Sequence, residues 1–197
     1  MAFVLPVTLE GRHATLVPLA RGHAGALAAA AADGELWRLW YTGVPAPEQA
    51  PSWVDAALAM RDGAGAMPFA VRDNATGDIV GSTRYFNVDA ANRRLEIGHT
   101  WHAQRAQRTA VNTECKLLLL THAFETLACI AVEFRTHFFN FASRRAIERL
   151  GAKQDGILRQ HQVLPDGTLR DTVVFSIISP EWPAVKRHLS FLLERPR

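Results

Sequence analysis

The sequence predicts a mixed α/β fold in which antiparallel strands lead into one central βαβ unit and a helix closes the chain. Three observations carry this. Residues 67–101 hold three short runs with strand-like alternation, separated by the polar turns DNATGD and 89–93. The apolar period then lengthens to three and four residues over 113–127, and returns to two over 130–135. Strands joined by short turns pair antiparallel, whereas a crossover helix lets the strands on either side of it run parallel.

Taken in order, the Ala-rich stretch 26–32 reads as a helix, because alanine has the highest helix propensity. Residues 43–52, GVPAPEQAPS, read as a surface loop rather than a linker, since the roughly forty residues before them are at the lower limit for a domain. MPFAVRD and IVGSTRYF form the first two strands of a meander. In the third, LEIGHTW, Leu95, Ile97 and His99 oppose Glu96, Gly98 and Thr100. The following helix places Leu117, Leu120, Phe124 and Leu127 on one face. Ile130, Val132 and Phe134 share one side of the next strand. A short helix over 143–150 stops at Gly151, a natural residue just past a helix end. Segments 158–164 and 169–178 flank PDGT as a late hairpin, and a last helix over 181–194 turns Trp182, Val185, Leu189 and Leu192 inward. With no internal repeat, residues 1–197 are expected to form one domain.

Composition narrows the function classes. Apolar residues at 48% and charged residues at 21% describe a globular chain rather than a disordered one. A net charge of +3 suits an anionic ligand but lacks the basic excess of a nucleic-acid binder. The N-terminus lacks the features of a signal peptide, and the apolar run 117–120 is too short to span a bilayer. Cys115 and Cys129 sit in apolar contexts, so buried thiols in a reducing cytoplasm are expected. No His or Cys pair has metal-ligand spacing, and no metal is expected.

The stretch WHAQRAQRTAVNTE, 101–114, leaves a strand and opens a helix. Unpaired N–H groups in a helix's first turn, reinforced by the helix dipole, attract anions. Arg105 and Arg108 add charge there, and no acidic residue lies between Ile97 and Thr113. A phosphate group fits such a loop; so does an ordinary surface turn with solvated arginines. The Walker ending and the dinucleotide glycine pattern are both missing.

Gln107-Arg108-Thr109-Ala110-Val111-Asn112 resembles, in position, the [QR]-x-x-G-x-[GA] loop on which GNAT acyltransferases hold the coenzyme A pyrophosphate. Gln107 matches; Ala110 and Asn112 replace the small residues. Asn140-Phe141-Ala142-Ser143, followed by RRAIERLGA, resembles the N-x-x-S segment of the branch with the ribosomal-protein alanine N-acetyltransferases RimJ and RimL. LEIGHTW and SPEW also resemble that branch. The resemblance implies a GNAT-like fold with helices on both faces, two splayed parallel strands, and acetyl-coenzyme A (acetyl-CoA) as cosubstrate between them. It places coenzyme contacts at His99, Thr100, Trp101, Gln107, Arg108, Thr109, Ala110, Val111, Asn112, Thr113, Asn140 and Ser143.

The implied reaction is direct attack of a primary amine, on a protein or peptide N-terminus or a small molecule, upon the thioester. A backbone N–H near His99 or Trp101 would polarise the carbonyl, and Gly98 suits a bulge there. The tyrosine that protonates the thiolate in many relatives is replaced by Ile147, so Ser143 is the candidate acid; the alternative is that it only caps its helix. Glu96 is the candidate base, against a salt-bridged strand glutamate. His99 and His102 could also take a proton, with His99 expected to be a hydrogen-bonded core histidine. Trp37, Trp40, Tyr41 and Tyr85 are candidate acceptor contacts, or core aromatics. The changed loop and Ile147 motivate a second reading, a catalytically weak acyl-CoA-binding or regulatory domain. No nucleic-acid or membrane partner is implied, and a homodimer stays open.

Overall fold

The computed structural model describes residues 3–195. Its framework is an eight-stranded sheet in the order β1-β2-β3-β4-β5-β6-β8-β7. The strands are β1 (Leu9–Glu10), β2 (Ala14–Pro18), β3 (Met67–Asp73), β4 (Ile79–Asp89), β5 (Arg94–His102), β6 (Ala131–His137), β7 (Lys153–Val163) and β8 (Leu169–Ile178). The helices are α1 (Ala24–Ala32), α2 (Ala50–Ala64), α3 (Ala110–Thr121), α4 (Phe141–Glu148) and α5 (Trp182–Glu194). β3, β4 and β5 form the expected meander, and α3 crosses over to bring β6 parallel to β5.

That parallel pairing is short. It runs through Arg94 opposite Ala131, Leu95 opposite Val132 and Glu96 opposite Glu133, and then the strands part. The expected splay is therefore present, and it opens beside Glu96.

Helices cover both faces. On one, Trp53 of α2 meets Trp101 edge to face at 6.0 Å, and the Arg84 guanidinium lies over the Trp53 ring at 5.0 Å. On the other, the fully buried Tyr85 donates its hydroxyl to the Leu119 carbonyl of α3 at 2.6 Å, and Trp182 of α5 stacks on Phe124 at 5.3 Å. The buried Glu114 carboxylate of α3 accepts the backbone N–H groups of Arg12, His13 and Ala14, at 3.0 Å from Arg12 and 2.7 Å from Ala14. It thus pins the β1–β2 turn to the central helix.

Several expectations need correction. The expected loop 43–52 ends early, because a 3-10 turn at Pro47–Gln49 leads straight into α2. Proline is tolerated at the first turn of a helix, and Ala50, Val54, Ala57 and Leu58 supply a buried stripe at helical spacing. α3 begins three residues before the expected 113, because Thr109 caps it: its Oγ1 accepts the Val111 N–H at 3.2 Å. Its inner face includes Val111, Cys115, Leu119 and Leu120 and is continued by Ala123 and Phe124 in the π-helical turn His122–Thr126, while Leu117 and Leu127 are only partly covered. Ile130 precedes β6 and is 41% exposed. α4 also starts early, capped by the Asn140 side chain, which accepts the Ser143 N–H at 3.0 Å. Gly151 follows it with φ +97, a backbone geometry that glycine adopts freely. β7 begins at Lys153 rather than 158, since an edge strand needs no alternating pattern when both faces meet solvent.

Candidate active site

A cleft of about 560 Å³ fills the gap where β5 and β6 separate. Its floor contains Glu96 through His102, one wall is α4 with Asn140, Ser143 and Ile147, and the α1–α2 loop closes the far end with Leu36, Leu39 and Tyr41.

On β5 the β4 register jumps from Gly98 to Trp101, and His99 takes φ +48. This is a bulge: His99 and Thr100 have no ladder partner on the β4 side, and the β6 pairing has already ended at Glu96. Backbone groups at His99 and Thr100 thus lie outside both ladders, at the place where the sequence implied a carbonyl donor. The bulge also overturns the expectation for His99. Its side chain leaves the core, meets the Phe86 ring at 4.8 Å and is open to solvent.

Glu96 is only 3% exposed. Its Oε2 accepts from Asn87 Nδ2 at 2.9 Å and lies 3.5 Å from Arg135 Nε. Burial outweighs both partners and lifts its pKa to about 7. Arg135 is itself engaged by Glu133 at 2.9 Å, which leaves it a weak counter-charge.

At the other end, α3 presents its first turn to the loop after β5. His102 is buried and pushed down to about 4, chiefly by desolvation and then by Lys116, so it stays neutral. Its Nε2 lies 3.2 Å from Asn112 Oδ1. A carboxamide oxygen only accepts, so Nε2 carries the hydrogen and the Asn112 NH₂ remains available to the cleft. Gln107 donates to the His102 carbonyl at 3.0 Å and braces the loop. Thr113 is buried, and its Oγ1 accepts from Arg149 Nη2 at 3.1 Å. Arg149, the residue just past α4, therefore brings positive charge to this helix end, a role invisible in the sequence because the two residues lie 36 apart. Arg105, expected to serve here, instead pairs with Asp33 at 3.0 Å and approaches Asp78 at 3.7 Å. Arg108 is exposed in the loop with φ +60.

The structure brings Glu96, His99, Thr100, Trp101, Gln107, Asn112, Asn140, Ser143 and Tyr41 to the cleft. It does not bring Tyr85, whose ring and hydroxyl are committed to the core. Trp37 and Trp40 do not line it either: Trp37 carries the Arg38 guanidinium at 5.1 Å, and Trp40 packs on His137 at 4.8 Å behind Tyr41. Ser143 is not its helix's cap, since Asn140 fills that place, and its hydroxyl has no partner among the described residues. Sequence reasoning missed Lys116, which lines the cleft from α3 and donates to Thr100 Oγ1 at 2.6 Å. Only its position in a helix that is apolar nearly all round signalled burial.

A central helix whose N-terminus opens on a gap between two parting parallel strands, with a buried carboxyl at the point of separation, is the arrangement that the sequence resemblance implies. The chain belongs to the GNAT acetyltransferases: residues 13–153 match the model of the acetyltransferase (GNAT) domain. It is 31% identical over 110 residues to the Bacillus subtilis (strain 168) protein named "Putative ribosomal N-acetyltransferase YdaF", a match covering 56% of this chain and 59% of that protein, less than two thirds of its length. A second B. subtilis N-acetyltransferase, YoaA, is 25% identical over 133 residues, 68% of this chain and 74% of that one. The crystal structure of a GCN5-related N-acetyltransferase from Brucella melitensis superposes with a TM-score of 0.85 at 33% identity, over 96% of this chain and 86% of that one.

Proposed function

We propose that the protein transfers the acetyl group of acetyl-CoA to a primary amine by direct attack on the thioester, with Glu96 as the base. The observation that carries this is Glu96 itself, a buried carboxyl with its pKa lifted to about 7 at the mouth of the splay. A general base works best when its pKa lies near the operating pH.

The residues present fit the cosubstrate. The first-turn amides of α3, the Asn112 NH₂ and the nearby Arg149 offer donors and charge to a diphosphate. Asn112, which replaces a small residue of the family loop, has its oxygen turned to His102. The amides at the β5 bulge would take the charge that develops on the carbonyl oxygen. As the amine nitrogen bonds to the carbonyl carbon, its proton passes to Glu96, the C–S bond breaks, and the departing sulfur takes a hydrogen bond or proton from the Ser143 hydroxyl. Acceptors of this chemistry include protein or peptide N-termini and small amines. Two buried free thiols, Cys115 and Cys129, support a reducing compartment such as the cytoplasm, and among the described residues no helix is long and apolar enough to cross a membrane.

Thiol release with acetyl-CoA and an amine panel tests the reading. kcat/KM should rise with pH to a plateau with one ionisation near pH 7, because Glu96 must be deprotonated to act. Glu96→Gln should lower kcat by about 10²–10⁴-fold while coenzyme affinity persists. A flat pH profile, or binding without turnover in the unaltered chain, would favour the regulatory reading.

A further inference from the structure

The cleft continues past Glu96 toward the ends of β6 and β8, where its chemistry changes. His137 stands opposite Thr172 in the β6–β8 register, so Arg170, two residues along β8, is its diagonal neighbour on the same face. Both side chains line the cleft. Arg170 Nε donates to Thr172 Oγ1 at 3.0 Å, which fixes the guanidinium plane. Among the described residues no carboxylate lies within ion-pair distance of Arg170, and the acid whose field reaches it is Glu96. His137 is 3% exposed. Its Nδ1 accepts the Phe139 N–H at 3.1 Å, so the ring hydrogen of the neutral imidazole sits on Nε2, and that buried atom has no partner. Trp40 at 4.8 Å and Tyr41 at 6.2 Å close around the same ring.

We propose that the acceptor is a small amine that also bears a carboxylate, which the Arg170 guanidinium and the His137 Nε2–H hold while the amine faces Glu96. This rests on the acetyl-transfer reading above. The guanidinium fork matches two carboxylate oxygens, and a buried donor left unpaired by the wrong substrate penalises that substrate. A peptide N-terminus offers only a neutral carbonyl in the same place. The charge balance selects a monoanion. Of the two arginines among the described residues that line the cleft, Arg135 is already committed to Glu133 and Arg170 has no carboxylate partner, and an ionised Glu96 would repel a dianionic phosphate.

The test is thiol release by the full chain with matched acceptors: free amino acids, their primary amides, and β-alanine beside phosphoethanolamine. The carboxylates should exceed the amides and phosphoethanolamine by about tenfold or more in kcat/KM. Arg170→Gln should raise KM for the carboxylates by about tenfold to a hundredfold and so erase most of their preference over the amides, and Arg170→Lys should recover part of the loss. Amides or phosphoethanolamine used as well as the carboxylates, or an equal loss on acids and amides in Arg170→Gln, would overturn the assignment while leaving acetyl transfer intact. No thiol release from any acceptor would overturn the transfer reading itself.

Discussion

Lys116 illustrates how much chemistry one side chain can hide. Its ammonium is buried against Thr100 and Thr83, with no carboxylate partner among the described residues, and burial pushes its pKa down to about 8 from 10.5. Between those two values the unfolded chain holds this proton and the native chain has released it. Stability must therefore rise with pH through that window, and below pH 8 the native state bears the full cost, about 3 kcal/mol. Lys116→Met should raise stability at neutral pH and abolish the rise between about pH 8 and 10.5, as read from denaturant unfolding at several pH values. At this scale the sequence was partly legible. Glu96 could be placed at the splay, because strand alternation fixed its face and the resemblance fixed its strand. Tyr85 and Arg105 could not, since nothing local tells a reader that a hydroxyl will find the Leu119 carbonyl or that Asp33 will fold back onto a distant guanidinium.

Among the elements, the paired strands β4 and β5 are the most exacting. A Cβ on Gly81 would run into the Trp101 carbonyl oxygen and lie 2.9 Å from the His102 Cα. Backbone cannot yield there without spreading the two strands. Gly81→Ala should accordingly cost about 1–3 kcal/mol, seen as a lower unfolding midpoint, and should slow thiol release by moving the bulge. The same bulge explains why alternation misread His99: one extra residue reverses the facing of the side chains beyond it, so a rule of period two fails there without any change in composition. α2 escaped notice because Pro51 and Gly63 resemble loop punctuation, although they stand in its first and last turns. The first half of β7 was hidden by the solvent on both its faces. α5 was readable because burial of Trp182, Val185 and Leu189 on one face imposes a helical period, and β3 and β8 were readable because turn residues bound their apolar runs.

Across the whole molecule, the order of strand, crossover helix and strand sufficed to predict the parallel junction of β5 and β6, whereas contacts between distant segments were out of reach. The Glu114 carboxylate on the β1–β2 turn and the Arg149 guanidinium on Thr113 each join residues tens to a hundred positions apart. The parallel junction has its own mechanical meaning. Two sub-sheets, β1–β5 and β6–β8, are stitched by three residue pairs, so a molecule lodged between their free edges acts as a wedge and a splint at once. Whatever binds there restores cohesion that the backbone alone leaves out, and the resistance of the chain to heat becomes a gauge of occupancy. Coenzyme A at a hundred times its Kd should add about 2.7 kcal/mol, a rise of roughly 5–10 °C in Tm. Calorimetry across a coenzyme titration would check this, and an unmoved transition would mean that the two halves are already held together without a guest.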